Sequence, residues 1–185
     1  MIKIKNTVYS VKFSFLLFNA LIFLLRENSV IMNFYAVCII HELGHLFAVC
    51  ITGGKIRSVV FSGTGVVITP EKNSPHELFV MLSGPCANLV VFIIFNIIGI
   101  GQIFRLLNLG TAFYNLLPYR QLDGGAGLAL LTDGSPYERT VNTVLTSIKL
   151  LFSVFLLGLS VFCGREFVPL FLVSLMLFIS ERGLP

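Results

Sequence analysis

The sequence predicts an all-α polytopic membrane protein with about six transmembrane helices and a small β-hairpin insertion after the second. Of its 185 residues, 56% are hydrophobic and only 12% are charged, and the mean hydropathy is +0.91. A soluble domain has about half of its residues apolar and about a quarter charged. The apolar residues also fall in long runs rather than in helical stripes, which indicates that lipid is the solvent.

The apolar runs predict helices over residues 11–26, 30–52, 76–100, 102–117, 139–163 and 166–181. The first run follows several lysines, as the core of a secretory signal peptide would. However, Arg26-Glu27-Asn28-Ser29 offers no small-residue cleavage site, so we expect this helix to be retained. The fourth run is short, and the fifth contains Lys149.

Two helix starts carry the same signature, with Ser at the N-cap, Pro at the first helical position and Glu at the third. They are Ser74-Pro75-His76-Glu77 and Ser135-Pro136-Tyr137-Glu138. His76 is therefore predicted to be a surface residue near a cap rather than a metal ligand.

A β-branched, partly alternating segment over residues 55–70 separates the second and third predicted helices. Gly63 and Gly65 interrupt it, which predicts two short strands around a glycine turn. We expect an edge of this hairpin to pair with an extended segment by strand addition. Since there is no internal repeat or low-complexity linker, residues 1–185 are expected to form a single domain.

The basic residues predict the orientation of the chain in the cell membrane. If both termini are cytoplasmic, nine of the thirteen Lys and Arg residues lie in cytoplasmic segments and three in outer segments, with Lys149 inside a helix. This bias favours that orientation. The net charge of +4 is scattered between apolar runs, so it does not indicate a nucleic-acid partner.

The second predicted helix contains His41-Glu42-Leu43-Gly44-His45. Residues four apart lie on one face of a helix, so both imidazoles can reach one metal ion, and Glu42 projects beside them, where it can deprotonate a metal-activated water. The flanking residues are almost all apolar, which puts the motif about midway along a membrane span. A hydrogen-bonded His/Glu cluster joining helices is the alternative without a metal.

Two imidazoles and a water leave a tetrahedral zinc site one protein ligand short. The candidate carboxylates are Asp123, Asp133, Glu71, Glu77, Glu138, Glu27, Glu166 and Glu181. Most of them occupy polar loops or helix caps, whereas Asp123 follows a helix broken by Pro118 and precedes Gly124-Gly125. These residues suit irregular backbone buried in protein at membrane depth. A turn aspartate before two glycines is the ordinary alternative.

Three segments in this order resemble the signatures of the site-2 protease family of intramembrane zinc metalloproteases. They are His41-Glu42-Leu43-Gly44-His45, Ser83-Gly84-Pro85-Cys86-Ala87-Asn88, and Asn115-Leu116-Leu117-Pro118 through Leu122-Asp123-Gly124-Gly125. The resemblance covers residues 38–130 and implies a catalytic core over about 30–130. Its short form is similar to the branch that processes sporulation sigma factors, but no CBS tail follows.

The resemblance implies one Zn²⁺ per chain, bound by His41, His45 and Asp123, with Glu42 as the catalytic base. It further implies that Gly84, Pro85 and Asn88 pack beside the catalytic helices, and that Asn115 faces the substrate. Many relatives have a second proline where Gln121 stands, which affects the shape of the loop rather than the ligand.

The function expected from these residues is hydrolysis of peptide bonds in or near transmembrane segments of other membrane proteins. The expected partners are a transmembrane protein substrate and a membrane regulatory protein. Two alternatives use the same ligands: a metal carrier or sensor, which does not need Glu42 as a base, and a non-catalytic relative that binds transmembrane clients.

Overall fold

Four strands and five helices have complete bounds in the part of the chain that the structure describes. This computed structural model describes residues 2–4, 7–13, 15–17, 20, 28–62, 65–70, 76–162, 171–172, 174–175 and 178–179. The elements in chain order are β1 (Ile2–Ile4), β2 (Thr7–Val11), α1 (Asn28–Ile51), β3 (Ile56–Ser62), β4 (Gly65–Pro70), α2 (Glu77–Ile98), α3 (Gln102–Asn115), α4 (Asp123–Thr132) and α5 (Glu138–Phe162). They fall into two compact units, Met1–Asn115 and Leu116–Pro185.

Three of these helices are long and apolar enough to cross a membrane. The candidate spans are Ser29–Ile51, Glu77–Ile98 and Glu138–Phe162. At about 1.5 Å per residue, about 20 residues match the hydrocarbon thickness of a bilayer. The spans also expose large apolar side chains, such as Phe47 at 67% and Ile97 at 79%, as lipid-facing helices do. The chain is therefore a membrane protein.

The predicted number of six transmembrane helices is not confirmed. Helix α3 has 14 residues, which is short for a bilayer crossing. The first and sixth predicted helices lie partly outside the described residues, and the residues described between 13 and 20 and between 171 and 179 are helical. The cytoplasmic location of both termini stays a prediction.

The β structure is larger than the sequence predicted. The hairpin over 55–70 is present as β3 and β4, but it belongs to a four-stranded sheet in the order β1-β2-β3-β4. Strands β2 and β3 are parallel, while the other two pairs are antiparallel. The chain is mostly helical, as predicted, but the prediction of a lone hairpin was wrong, because the N-terminal residues, with Lys3 and Lys5, were taken only as the flank of a membrane helix.

Helix α4 was also missed, since the sequence placed Asp123 in broken backbone after a helix. Gly124, Gly125 and Gly127 give residues 123–132 a low helix propensity. The helix nevertheless forms with Gly125 and Gly127 buried. Asp123 occupies its first turn, where a carboxylate is favoured by the partial positive charge of the helix N-terminus.

In the first unit, helices α1, α2 and α3 pack against one another. Ala48 and Val49 of α1 form a buried cluster with Val80 of α2. Gly44 lets the two helices approach closely, because a Cβ there would lie 2.6 Å from the carbonyl oxygen of Ser83. The small residue inside the HELGH motif thus brings α2 against the face that carries both histidines.

In the second unit, the loop before α4 is anchored by Tyr119, which is 1% exposed. Its hydroxyl lies 2.8 Å from Ser174 Oγ, which in turn lies 2.7 Å from Ser153 Oγ. Lys149 is also buried, and its ammonium lies 5.6 Å from the centre of the Tyr119 ring. The polar residues within α5 therefore hold this loop.

Candidate metal centre

Two buried histidines of α1 form the centre of the site in the first unit. His41 and His45 are 6% and 8% exposed, and they lie one helical turn apart, so their rings project from the same face. Their Nε2 atoms are 3.2 Å apart. The prediction that the HExxH spacing brings the two imidazoles together agrees with this geometry.

The other ring nitrogen of each histidine has a partner that fixes the tautomer. His45 Nδ1 lies 2.7 Å from the carbonyl oxygen of Val80, and a carbonyl can only accept, so Nδ1 carries the proton. His41 Nδ1 lies 2.8 Å from Asn88 Oδ1, which likewise accepts. Both Nε2 atoms therefore present lone pairs to the space between the rings.

This arrangement fits a divalent zinc ion. Two nitrogen lone pairs 3.2 Å apart repel each other unless a cation lies between them. Zinc binds imidazole nitrogens at about 2.0–2.1 Å, and a tetrahedral angle would then separate two such nitrogens by about 3.3 Å. Hydrogen bonding of a ligand histidine through its second nitrogen is the usual arrangement in metal sites, where it fixes the ring and its tautomer.

Gly84 of α2 lies directly against the two imidazoles. A Cβ at this position would lie less than 3.0 Å from His45 Nε2 and from His41 Cε1. Pro85 follows, buried inside α2. The structure thus places the Gly-Pro segment beside the two imidazole rings, where only a residue without a side chain leaves room for them.

Glu42 follows His41 on α1 and is half-buried. Its carboxylate belongs to the same turn as the two imidazoles and stands within a candidate membrane span. In lipid such a group is costly, which makes Glu42 a candidate functional residue.

In the second unit, Asp123 opens α4 and its position depends on two glycines. A Cβ on Gly124 would lie less than 3.0 Å from the backbone of Leu116, and one on Gly125 equally close to the backbone of Tyr119. The loop 116–122 therefore lies directly on the first turn of the helix. Close backbone approach at Gly124-Gly125 was predicted from the sequence, although the helix that contains these glycines was not.

Three further residues were singled out from the sequence: Asn115, His76 and Asp133. Asn115, at the end of α3, donates from Nδ2 to the Thr111 carbonyl at 3.1 Å. His76 is exposed and sits at the N-cap of α2 with φ of 64°. Asp133 is 45% exposed and pairs with Arg120 at 2.7 Å.

Sequence reasoning missed Asn108 of α3. It is 0% exposed, and its Oδ1 accepts a hydrogen bond of 2.8 Å from Asn88 Nδ2. One signal could have found it: Asn108 lies seven residues before Asn115, so the two share a helix face.

Comparisons with known proteins agree with this fold. No protein-family model matches the chain. The solved structure of the site-2 protease from Methanocaldococcus jannaschii is similar with a TM-score of 0.66 and 23% identity, over 98% of this chain and 92% of that one.

A curated protein of Synechocystis, named "Putative zinc metalloprotease sll0528", is 32% identical over an alignment of 105 residues, and the match covers 49% of this chain and 28% of that protein. The chain thus spans less than a third of the length of this relative. The site-2 protease resemblance read from the motifs is confirmed, and the chain has the site-2 protease fold.

Proposed function

We propose that the protein is an intramembrane zinc metalloprotease that hydrolyses peptide bonds in or near transmembrane segments of other membrane proteins. One observation carries the proposal: two histidines with fixed tautomers present adjacent Nε2 atoms within a candidate membrane span, one residue away from a carboxylate. The fold and the name of the curated relative support the same class of enzyme.

His41 and His45 would hold the zinc ion through Nε2, and Asp123 is proposed as the third protein ligand. Bound zinc supplies a Lewis acid that polarises the scissile carbonyl and makes water more acidic. Glu42 accepts a proton from the attacking water and delivers it to the leaving amine nitrogen. The hydrogen bonds that Nδ1 of each ring donates to Asn88 Oδ1 and to the Val80 carbonyl hold both imidazoles in one orientation.

The substrate class follows from the position of the site. Peptide bonds of a transmembrane helix are shielded by the helix itself, so cleavage needs a locally extended stretch. Unwinding in lipid leaves backbone groups unsatisfied at several kcal/mol each unless new partners appear. Substrates with Gly, Pro or Asn near the scissile bond are therefore expected to be preferred, because their helices are already weakened.

Replacing Glu42 by Gln tests the proposal most directly. The change preserves size and hydrogen bonding but removes the base, so zinc content should stay near one per chain while cleavage falls about 10²–10⁴-fold. Purified protein in nanodiscs would be assayed for zinc by elemental analysis and for cleavage of a transmembrane reporter. Cleavage at the original rate would contradict the hydrolytic mechanism.

The same variant distinguishes the protease from a metal carrier. A carrier uses the ligands but has no need of a base, so Glu42→Gln would leave zinc flux into liposomes unchanged. A protease should show no such flux in either form. For a non-catalytic relative, neither form would cleave the reporter.

A further inference from the structure

We propose that Asn108 is a positioning residue of the metal centre, which acts through Asn88 to hold His41 as the Nδ1–H tautomer. The effect of Asn108 on zinc binding rests on the proposed function, whereas its effect on the tautomer of His41 does not. The relay of hydrogen bonds runs from the Phe104 carbonyl through Asn108 and Asn88 to His41, entirely within the first unit.

The direction of every hydrogen bond in the relay follows from the Phe104 carbonyl, at the end away from His41. The Phe104 carbonyl can only accept, so it takes a hydrogen bond of 2.9 Å from Asn108 Nδ2. Asn108 Oδ1 must therefore face Asn88, whose Nδ2 donates to it at 2.8 Å. The second hydrogen of that amide donates to the Val37 carbonyl at 3.2 Å.

Asn88 then has only its carbonyl oxygen left for the histidine. Because Oδ1 accepts, His41 Nδ1 must donate across the 2.8 Å between them. If the Asn88 amide rotated by 180°, its oxygen would face the Val37 carbonyl and Asn108 Oδ1, two acceptors that cannot donate to it. Asn108 thus opposes the rotation that would permit the other tautomer.

Burial makes this constraint strong. Asn88 and Asn108 are both 0% exposed, so water does not replace a lost partner, and hydrogen bonds between amides strengthen one another in a low-dielectric interior. His45 needs no such relay, because its Nδ1 faces the backbone carbonyl of Val80. The loss of Asn108 should therefore affect His41 and leave His45 unchanged.

The substitution Asn108→Leu preserves the branched shape of the side chain but removes the acceptor for Asn88. The matched control is Asn96→Leu, since Asn96 is an exposed asparagine of α2. A rescue variant is Asn108→Asp, because a buried carboxyl neutralises and can then donate to the Phe104 carbonyl and accept from Asn88.

The tautomers would be measured by NMR on chelator-treated protein carrying ¹⁵N-labelled histidine, with His76→Gln to assign the spectrum. In Asn108→Leu, the His41 signals should move from those of the Nδ1–H tautomer towards those of a mixture of the Nδ1–H and Nε2–H tautomers. The His45 signals should stay those of the Nδ1–H tautomer. Zinc affinity, measured by competition with a chelating dye, should weaken about 10-fold, the lower end of the range for partners of metal ligands. Asn108→Asp should restore both.

Unchanged His41 signals and a zinc affinity equal to that of Asn96→Leu would overturn the proposal. If Asn108→Leu does not fold, Asn108→Asp decides, because a lost Nδ1–H signal in that variant overturns the relay and a retained one supports it. Failure of the wild-type protein to bind zinc would instead reject the proposed function, and the NMR result would still test the relay.

Discussion

The histidine face of α1 and the Asp123 loop are held in place by different kinds of contact. His41 and His45 are oriented by hydrogen bonds that their Nδ1 atoms donate to Asn88 Oδ1 and to the Val80 carbonyl. The loop that leads to Asp123 instead lies against glycines, where the backbones of Leu116 and Tyr119 fill the space that a Cβ would occupy. In the first region polar pairing positions the proposed ligands, and in the second the absence of side chains positions the proposed ligand Asp123.

This difference predicts how each region responds to change. A histidine that loses its hydrogen-bond partner keeps its place on the helix but gains rotational and tautomeric freedom. Side chains can adapt to an intruding methyl group, whereas a backbone that crosses a helix must move as a whole. Metal binding should therefore be the sensitive property of the histidine face, and folding stability that of the Asp123 loop.

Removing the proposed carboxylate ligand should have the largest effect. Asp123→Ala should weaken zinc binding by more than about 100-fold, because loss of a partner behind a ligand already weakens it about 10–100-fold. Zinc titration and the cleavage of a transmembrane reporter would measure the change.

Asp133→Ala is the matched control for this prediction. Asp133 forms an exposed ion pair with Arg120, and such pairs contribute about 0–1 kcal/mol. Its loss should leave zinc binding unchanged. If Asp133→Ala loses zinc and Asp123→Ala does not, the third ligand has been assigned to the wrong carboxylate.

Replacing one glycine of each region by alanine compares the histidine face with the Asp123 loop directly. Gly84→Ala places a methyl group against the imidazoles, so zinc affinity should fall with a small change in stability. Gly125→Ala drives a methyl group into the Tyr119 backbone and should destabilise the fold by about 1–3 kcal/mol. Thermal unfolding in detergent, run beside zinc titration, would separate the two effects.

Two other glycines supply the controls. Among the residues that the structure describes, none has an atom within 4 Å of a Cβ built on Gly110 of α3 or Gly158 of α5. Alanine at either should be neutral or stabilising, because it reduces the entropy of the unfolded chain. Equal destabilisation by Gly84→Ala and Gly125→Ala would remove the distinction between the two regions.

The smallest effect is expected at the sheet. Strand β3 is paired on both sides, so Val59→Pro would disrupt the sheet and cannot test strand addition to its edge. Strand β4 is the outer strand next to β3 in the described sheet, so Val67→Pro is the better variant. It should lower cleavage of a stable helical substrate a few-fold while zinc content holds.

Substrates with Gly or Pro near the scissile bond should be least affected by Val67→Pro, since they need less help to unwind. Comparing reporters with and without a helix-weakening residue would measure this. Equal cleavage of the stable reporter by wild type and Val67→Pro would exclude a role for β4 in presenting the substrate.

Local spacing explains why part of the histidine face was predictable. The four-residue interval between His41 and His45 places both rings on one helix face whatever the surroundings, and the apolar flanks identify the membrane span. The β3–β4 hairpin was likewise visible in its β-branched residues and glycines. These are properties of residues close together in the chain.

The missed features depend on distant partners. Strand β2 pairs in parallel with β3, some fifty residues later, and no local pattern specifies such a partner. Helix α4 forms although its glycines lower the helix propensity. Gly125 and Gly127 are buried, so tertiary packing overrides the helix propensity.

The sequence by itself determined the membrane class, the spacing of His41 and His45 and the close backbone approach at Gly124-Gly125, because each is set by composition or by residues within a few positions. Only the tertiary structure decided that Asn108 lies behind Asn88, twenty residues away. The direction of a hydrogen-bonded relay depends on which acceptors the packing of three helices brings together, and those acceptors include backbone carbonyls that no residue type reveals.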